Sequence, residues 1–256
     1  MRFWPRSSGA EVRICTWNIQ YGRRLPDVLR SIETVEDFAG LDILALQEAS
    51  AHEGRCDAEQ IAAALGQEYM HVQATAQRRR GHEQANALVW RASTLGPAAA
   101  PEVLQLPGKD AVTMRRAERT LLRATPPQSR IALCVELEGL RVYVVHLDVI
   151  GFAHKLAQFQ CVLDDLKARP AAPLTLVAGD LNTFGPSRPK LWRRLGRAAE
   201  SAGLTNLTAH IRRTHWTGQK LDAIYALAAD APVEHRAWTA RLRASDHLPV
   251  FVELAQ

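Results

Sequence analysis

Apolar residues along the chain form short continuous runs that are separated by segments with helical spacing. Residues 12–17 and 41–46 are short apolar runs that predict buried strands. The segment between them, residues 26–40, places apolar side chains on one helical face and therefore predicts a helix. A second helix is predicted at 58–66. This succession of strands and helices is typical of an α/β protein.

Strand patterns dominate the middle of the chain. Five further strands are predicted, at 69–73, 86–91, 119–124, 130–137 and 140–147. The last two flank the Glu138-Gly139 turn and predict a hairpin. The stretch 92–118 contains three prolines and predicts a loop with one short strand.

The pattern continues without a repeat or a long linker to the end of the chain. It predicts a helix at 153–168, a buried strand at 173–180, a basic helix near 189–200, and strands at 220–227, 233–240 and 248–254. We therefore predict a single domain, residues 1–256, with two structural halves of about 1–150 and 151–256. Hairpins mixed with helical crossovers predict sheets packed face to face with helices outside.

Composition adds constraints on location more than on function. Hydrophobic residues make up 47% of the 256 residues, which is enough for a substantial core. No apolar run reaches 18 residues, and the N-terminus lacks the apolar stretch of a secretory signal. The four cysteines form no C-x-x-C pair and are typical of reduced core cysteines. These features predict a cytoplasmic protein without a transmembrane segment, and a monomer by default.

The net charge of +5 favours phosphate-rich partners, but charge alone is equally typical of an ordinary basic surface.

Polar residues follow several of the predicted strands at the point where each strand ends. Each of them alone has a structural explanation, because turns favour Asn and Asp. Asp222 is different, since it lies inside an apolar strand and needs a partner if it is buried. The joint pattern carries the chemistry: Asn18, Gln47-Glu48, His146, Asp180, Asn182, Asp222 and Ser245-Asp246-His247.

These motifs together resemble the endonuclease/exonuclease/phosphatase superfamily of hydrolases. TWN at 16–18, LQE at 46–48, HL at 146–147, GDLN at 179–182, LDAIY at 221–225 and SDH at 245–247 occur in the order that this family has. The resemblance spans residues 16–247. It implies a four-layer α/β sandwich, in which two mixed β-sheets pack face to face with helices outside. It also implies one catalytic site where the strand ends converge.

The resemblance implies a role for each of these residues. Glu48 is the first choice as a ligand of Mg²⁺, which prefers hard oxygen ligands, and Mn²⁺ should substitute. Asn18 and Asp246 complete the metal environment, directly or through water. The catalytic residues implied are His146, Asp180, Asn182, Asp222 and His247.

Among those catalytic residues, Asp222 is expected to hold His247 through a hydrogen bond of about 2.6–3.2 Å, while His247 and His146 contact the phosphate. Either Asp180 or His247 could be the general base. No Ser or Cys nucleophile motif occurs, so water is the expected nucleophile.

The substrate stays open at this level. We favour a phosphodiester, with nucleic acid ahead of the alternatives, which are a phospholipid of the sphingomyelinase type or an inositol or sugar phosphate. LQE is followed by Ala49-Ser50, which departs from abasic-site endonucleases and argues against that activity. A reading of another class is a non-catalytic nucleic-acid-binding module with the same fold.

Weaker features are Glu118-Arg119 and Asn86, which lie where relatives often carry similar residues, and two basic segments. The larger segment, residues 186–213, carries seven Lys and Arg residues against one acid, with Trp192 and Trp216 within or near it. Cations interleaved with aromatic residues suit DNA or RNA, whereas a solvated helix with Trp192 in the core explains the pattern as well. Arg78-Arg79-Arg80 leaves the same two readings open.

Overall fold

The computed structural model describes residues 12–52, 54–79, 81–112, 120, 128–185, 188–229 and 233–255. Fourteen strands and five α-helices lie in these ranges. The Glu118-Arg119 pair lies outside the described residues, as do Arg80 and the side chain of Arg79. Of the predicted strand at 119–124 only Thr120 is described, and it is helical.

The first sheet is built from both ends of the chain. Its strands are β1 (Val12–Asn18), β2 (Ile43–Ala49), β5 (Tyr69–Arg79), β6 (His82–Arg91), β13 (His235–Thr239) and β14 (Val250–Leu254). They lie in the order β13-β14-β1-β2-β6-β5. β1 and β2 are parallel, and the other pairs are antiparallel.

The second sheet is built from the middle of the chain. Its strands are β7 (Glu102–Gln105), β8 (Ile131–Leu137), β9 (Leu140–His146), β10 (Leu174–Asp180), β11 (Thr205–Asn206) and β12 (Asp222–Ala228). They lie in the order β11-β12-β10-β9-β8-β7, with β9 and β10 parallel. The predicted hairpin is β8–β9. Because β13 and β14 join the first sheet, the sheet boundary does not follow the division near residue 150. A separate two-stranded ribbon is formed by β3 (Ala51–His52) and β4 (Arg55–Cys56).

Helices cover the outer face of each sheet. α1 (Leu25–Thr34) and α2 (Asp57–Leu65) pack on the first sheet, and α4 (Phe152–Ala168) and α5 (Arg188–Ser201) pack on the second. A short helix, α3 (Ala92–Leu95), follows β6. α1 ends earlier than predicted, because Val35 adopts an extended backbone and a 3-10 turn, Glu36–Phe38, follows.

Three apolar cores hold the four layers together. The central core lies between the sheets and contains inward-facing residues such as Ile14, Leu88, Val142 and Ile224. The other two cores lie between each sheet and its helices. The predicted four-layer α/β sandwich is therefore confirmed. In the described part of the chain, no helix has both the length and the apolar character of a membrane span.

Candidate catalytic cleft

The polar strand ends meet at one edge of the sandwich. In the first sheet the parallel pair β1–β2 places Asn18 opposite Gln47, one residue before Glu48. In the second sheet Asp180 lies opposite both His146 and Asp222. Carboxyl ends of parallel strands are a usual place for ligand sites, because the loops that follow them are held by a rigid scaffold.

Gly179 allows the close approach of strands just before Asp180. Its φ is +150°, and a Cβ atom at this position would lie 1.9 Å from the Val145 carbonyl oxygen. Only glycine fits so close to a neighbouring backbone. The Gly of the GDLN motif therefore sets the position of the carboxylate that follows it.

Asp180 is the centre of the cleft. Its carboxylate is buried and accepts hydrogen bonds from the Asn18 side-chain amide (3.1 Å) and from the Asn182 backbone N–H (2.8 Å). The Nε2 atoms of His146 and His247 lie 3.6 and 3.7 Å from Asp180 Oδ2. Burial is the largest influence on this group and raises its pKa to about 6.

The contact between Asp222 and His247 expected from the sequence is present. His247 Nδ1 lies 2.9 Å and 3.1 Å from the two carboxylate oxygens of Asp222, and both side chains are buried. Burial by itself opposes a charged imidazole, but Asp222 and Asp180 outweigh it and raise the pKa of His247 to about 10. The ring is thereby fixed with Nδ1 toward Asp222 and Nε2 toward Asp180.

The Glu48 carboxylate makes few contacts with the other described residues. It lies at a β-bulge, where the register of β2 against β6 shifts between Gln47 and Ala49. Within the described residues its carboxylate accepts one hydrogen bond, from the Gln84 side-chain amide at 3.2 Å, and His146 Nε2 lies 3.8 Å away. Burial raises the pKa of Glu48, and the charge of Arg130 lowers it by a smaller amount. The resulting pKa is about 7. Glu48 is therefore a carboxylate without a close cationic partner in the described structure.

Arg130 is a site residue that the sequence did not indicate. It is buried, and its guanidinium donates to His146 Nδ1 at 3.0 Å. The same guanidinium nitrogen lies 3.4 Å from Nε2, so the shorter contact favours Nδ1 as the acceptor and Nε2 as the nitrogen that carries the proton. Nε2 lies 3.6 Å from Asp180 and 3.8 Å from Glu48. Burial and the charge of Arg130 lower the pKa of His146, so the ring stays neutral. The register of the β8–β9 hairpin, read outward from its turn, could have placed Arg130 beside the end of β9.

Asp246 lies at the mouth of the cleft and contacts two residues that the sequence did not indicate, Gln20 and His215. Its carboxylate accepts hydrogen bonds from Gln20 Nε2 (2.9 Å) and Ser245 Oγ (3.2 Å), and His215 Nε2 lies 3.8 Å away. Burial tends to raise the pKa of Asp246, but the contact with His215 and the charge of His247 lower it on balance. The signal for His215 was weak, because a single His in a polar loop is usually solvated.

Asn182 closes the turn after β10. Its side-chain amide donates to the Leu147 carbonyl at 2.9 Å, and its own carbonyl accepts a hydrogen bond from the buried Lys155. Asn182 is buried, and its backbone N–H donates to Asp180. The structure thus brings all eight predicted site residues to one cleft, listed as Asn18, Glu48, His146, Asp180, Asn182, Asp222, Asp246 and His247.

Backbone strain is concentrated around this cleft. Among the described residues, four that are not glycine have a positive φ: Gln20 (+52°), Tyr21 (+60°), Glu48 (+52°) and Asn182 (+49°). Each such residue carries a conformational cost of order 1 kcal/mol or more and persists only where surrounding contacts impose it. Strain that surrounds one cleft indicates that its geometry is set for a function.

The cleft contains groups that could hold a metal ion. Two sets of three side chains have ligand atoms within 4.8 Å of one another: Asp180, Asp222 and His247, and His215, Asp246 and His247. Both include His247, whose Nδ1 is already engaged with Asp222. Glu48 belongs to neither set, yet it is the carboxylate with the fewest partners.

Three of the weaker sequence features, Asn86, Trp192 and Arg78, have structural explanations. Asn86 is buried and donates to the carbonyls of Ile131 and Val144, so it ties the two sheets together. Trp192 donates to the Lys220 carbonyl and therefore supports the fold. Arg78 pairs with Glu83 at 2.7 Å.

The fold and the cleft together define a class of hydrolase, and the comparisons give its family. The model of the Endonuclease/Exonuclease/phosphatase family matches residues 15–247, so the chain belongs to this family. Its members are phosphoesterases and nucleases, and they generally use a divalent metal. The comparison with curated protein sequences gives no match.

Solved structures with the same fold include three with informative descriptions. An endonuclease/exonuclease/phosphatase from Bacteroides vulgatus has a TM-score of 0.67 and 17% identity over 96% of this chain and 98% of its own. The human Nocturnin catalytic domain with bound sulfate has a TM-score of 0.65 and 16% identity over 98% of both chains. D. rerio TDP2 complexed with a single-strand DNA product has a TM-score of 0.57 and 14% identity over 96% and 99%. At these identities the likeness shows the fold alone.

Proposed function

We propose that the protein is a Mg²⁺-dependent phosphodiesterase that hydrolyses nucleic acid by in-line attack of water. The observation that carries the proposal is the contrast between two carboxylates beside Asp180. Asp222 is paired with His247, while Glu48 has no close cationic partner. One half of the cleft is thus arranged for proton transfer and the other for a cation.

The donor set on the Glu48 side fits a hard divalent cation. Glu48 offers a carboxylate that burial leaves poorly stabilised as an anion, and a metal ion would stabilise it. Asn18 and Asp246 would complete the environment with oxygen atoms, directly or through water. Bound Mg²⁺ would screen the phosphate charge and stabilise the leaving oxygen. Mn²⁺ accepts the same ligands and should substitute.

Asp180 is best placed to accept the proton of the attacking water. Its carboxylate lies between the two histidine Nε2 atoms, and its pKa of about 6 leaves it ionised at neutral pH. His247 is held as an imidazolium by Asp222, so it would donate to a phosphoryl or leaving oxygen. These relations favour Asp180 over His247 as the base, the choice that the sequence left open.

His146 and Asn182 would hold the phosphate. The shorter contact of Arg130 with Nδ1 favours the His146 tautomer with the proton on Nε2, which could donate to a phosphoryl oxygen. Such fixed donors stabilise developing charge without rearranging during the reaction. Asn182 would position the water or the phosphate.

The basic segment supports a polyanionic substrate. Lys190, Arg193, Arg194 and Arg197 are exposed on α5, and none forms an ion pair with another described residue. Arg194 and Arg197, with Lys167 of α4, line a cavity of about 330 Å³ between the two helices. Lys190 and Arg194 also lie about 6 Å from the Phe152 ring centroid, at 6.0 and 5.9 Å. Cations without an acidic partner along a groove favour a phosphate backbone. The DNA found with TDP2 is in line with this choice.

Hydrolysis of bis(p-nitrophenyl) phosphate with Mg²⁺, and with EDTA, tests the proposal. We expect turnover that EDTA abolishes and that Mg²⁺ or Mn²⁺ restores. A folded protein without metal-dependent turnover would instead be a binding module. A panel of single- and double-stranded DNA, RNA, abasic duplex, sphingomyelin and inositol phosphates then identifies the substrate. A preference for sphingomyelin or inositol phosphates would contradict the nucleic-acid part.

A further inference from the structure

Trp216 is the most exposed large hydrophobic side chain in the described part of the chain. Its side chain is 66% exposed, whereas Met70 and Val103 reach 46% and Val149 reaches 38%. Single exposed hydrophobic residues are common and need no explanation by themselves. What distinguishes Trp216 is the segment on which it lies, the loop between β11 and β12.

The backbone of this loop is fixed to the catalytic segment. Trp216 N–H donates to the Asp246 carbonyl at 2.9 Å, and Leu248 N–H donates to the Thr214 carbonyl at 2.8 Å. An isolated β-bridge between His215 and His247 lies between these two hydrogen bonds. The indole is therefore exposed, while the backbone of residues 214–216 pairs with residues 246–248, which include Asp246 and His247.

Aromatic rings connect Trp216 to the catalytic histidine. The Trp216 and His215 ring centroids are 5.9 Å apart, and those of His215 and His247 are 4.7 Å apart. Phe184 packs edge-on against His215 at 5.4 Å. These contacts form one wall of the cleft, and Trp216 is its outer end.

A cation lies next to this outer end. The exposed Arg213 donates from Nε to the His215 carbonyl and from Nη2 to the Trp216 carbonyl, both at 3.2 Å. A guanidinium has five donors in all, so the remaining N–H groups stay available to an anion. An exposed aromatic ring beside a cation is the arrangement that suits a base followed by a phosphate.

We propose that Trp216 is a stacking platform for the nucleobase next to the scissile phosphate, and that it makes single-stranded nucleic acid the preferred substrate class. The inference rests on the proposed function and names its specificity-determining residue. Only the His215 ring separates Trp216 from His247, so a base on Trp216 would lie next to a phosphate at His247. Because every base has an aromatic face, the preference would be for a base over no base rather than for one sequence.

A binding experiment without metal separates the base from the phosphate backbone. The probes are fluorescein-labelled dT12 and a 12-residue abasic strand of the same charge, with anisotropy measured in EDTA so that neither is cleaved. The wild-type protein should bind dT12 about tenfold more tightly than the abasic strand, the usual effect of one stacked base. Trp216→Ala should bind both strands equally, and Trp216→Phe should keep part of the difference. Met70→Ala, a change at an exposed residue of β5, should behave as wild type.

Several results would overturn the inference. One is that the wild-type protein binds the two strands equally or binds neither. Another is that Trp216→Ala retains the full difference in affinity between the two strands. Loss of binding to sphingomyelin vesicles in Trp216→Ala, with dT12 binding unchanged, would assign the indole to a lipid surface instead. The proposed function fails by a different result, which is that the wild type hydrolyses no phosphodiester in a metal-dependent way. A protein that hydrolyses phosphodiesters but keeps its base preference without Trp216 overturns this inference alone.

Discussion

Glu48 and Asp222 are two carboxylates at the same cleft with opposite environments. Asp222 is buried at the start of β12, and both of its oxygens lie within 3.1 Å of His247 Nδ1. Glu48 lies on a strained bulge of the other sheet, with one neutral amide as its hydrogen-bond donor in the described structure. Among the described residues Asp222 has a histidine partner and Glu48 has only a neutral amide, which is why the proposed function places the cation beside Glu48.

This difference separates two tasks within one site. A buried acid that is paired with a histidine orients that ring and keeps it charged, which serves proton transfer. A buried acid without a cationic partner has a raised pKa, because its anion is poorly stabilised. A bound metal ion would stabilise that anion. Mutations on the Asp222 side should therefore lower turnover, whereas mutations on the Glu48 side should lower metal affinity.

The largest effect is expected when the Asp222–His247 pair is broken. His247→Ala and Asp222→Asn should each lower kcat by about 1000-fold, because removal of an essential proton-transfer group typically costs 100- to 10,000-fold. Residues that act as one unit are not additive, so the double variant should be little worse than His247→Ala alone. Single-turnover kinetics of all three variants would measure this, with thermal melts as the control for folding.

In that double-mutant cycle, losses that simply multiply would show that the two residues act independently. His247→Ala should also destabilise the fold by about 3 kcal/mol, since it leaves the buried Asp222 without its partner. Asp222→Asn should destabilise it less, because the remaining amide is neutral.

An intermediate effect is expected at His146. His146→Ala removes a fixed donor to the phosphoryl oxygen and should lower kcat by about 100-fold. Mg²⁺ affinity should change little, because His146 is assigned to the phosphate and not to the metal. Steady-state kinetics together with a Mg²⁺ titration would check both statements, and a large loss of Mg²⁺ affinity would contradict the assignment.

The smallest effect is expected on α5. Arg193→Ala with Arg197→Ala should weaken DNA or RNA binding and lower the salt slope by roughly two units, one for each lost phosphate contact. Turnover of bis(p-nitrophenyl) phosphate should stay unchanged, because that substrate does not reach the helix. The matched control is Arg30→Ala with Arg55→Ala, which removes two cations that pair with Asp27 and Glu59 on the first sheet's helices. Equal salt slopes in all three proteins would show that the basic segment is an ordinary solvated surface and does not bind nucleic acid.

Sequence predicted the cleft better than it predicted its surroundings. The strand-end motifs are local, since each polar residue follows an apolar strand, and their order resembled a known family. Arg130 was missed because its role depends on the register of the β8–β9 hairpin and on burial at the sheet edge. Composition could not show that Trp192 supports the fold while Trp216 is exposed. The two differ in the hydrogen bond from Trp192 to the Lys220 carbonyl, which only the structure shows.

Sheet membership was the other limit. Strands β13 and β14 return to the first sheet beside β1, a long-range pairing that no local pattern encodes. The same holds for Asn86, whose partners Ile131 and Val144 belong to the opposite sheet. Local periodicity predicts elements well, whereas pairing between distant segments depends on how the whole chain packs.

Calorimetric titration of Mg²⁺ into the wild type, Glu48→Gln and Asp222→Asn tests the division of the cleft most directly. Glu48→Gln keeps the shape of the side chain and removes its charge, so Mg²⁺ affinity should fall by more than the 10- to 100-fold typical of an indirect partner of a metal. Asp222→Asn should bind Mg²⁺ nearly as the wild type does while its turnover is lost. Unchanged Mg²⁺ binding by Glu48→Gln, or equal losses of binding in both variants, would contradict the account.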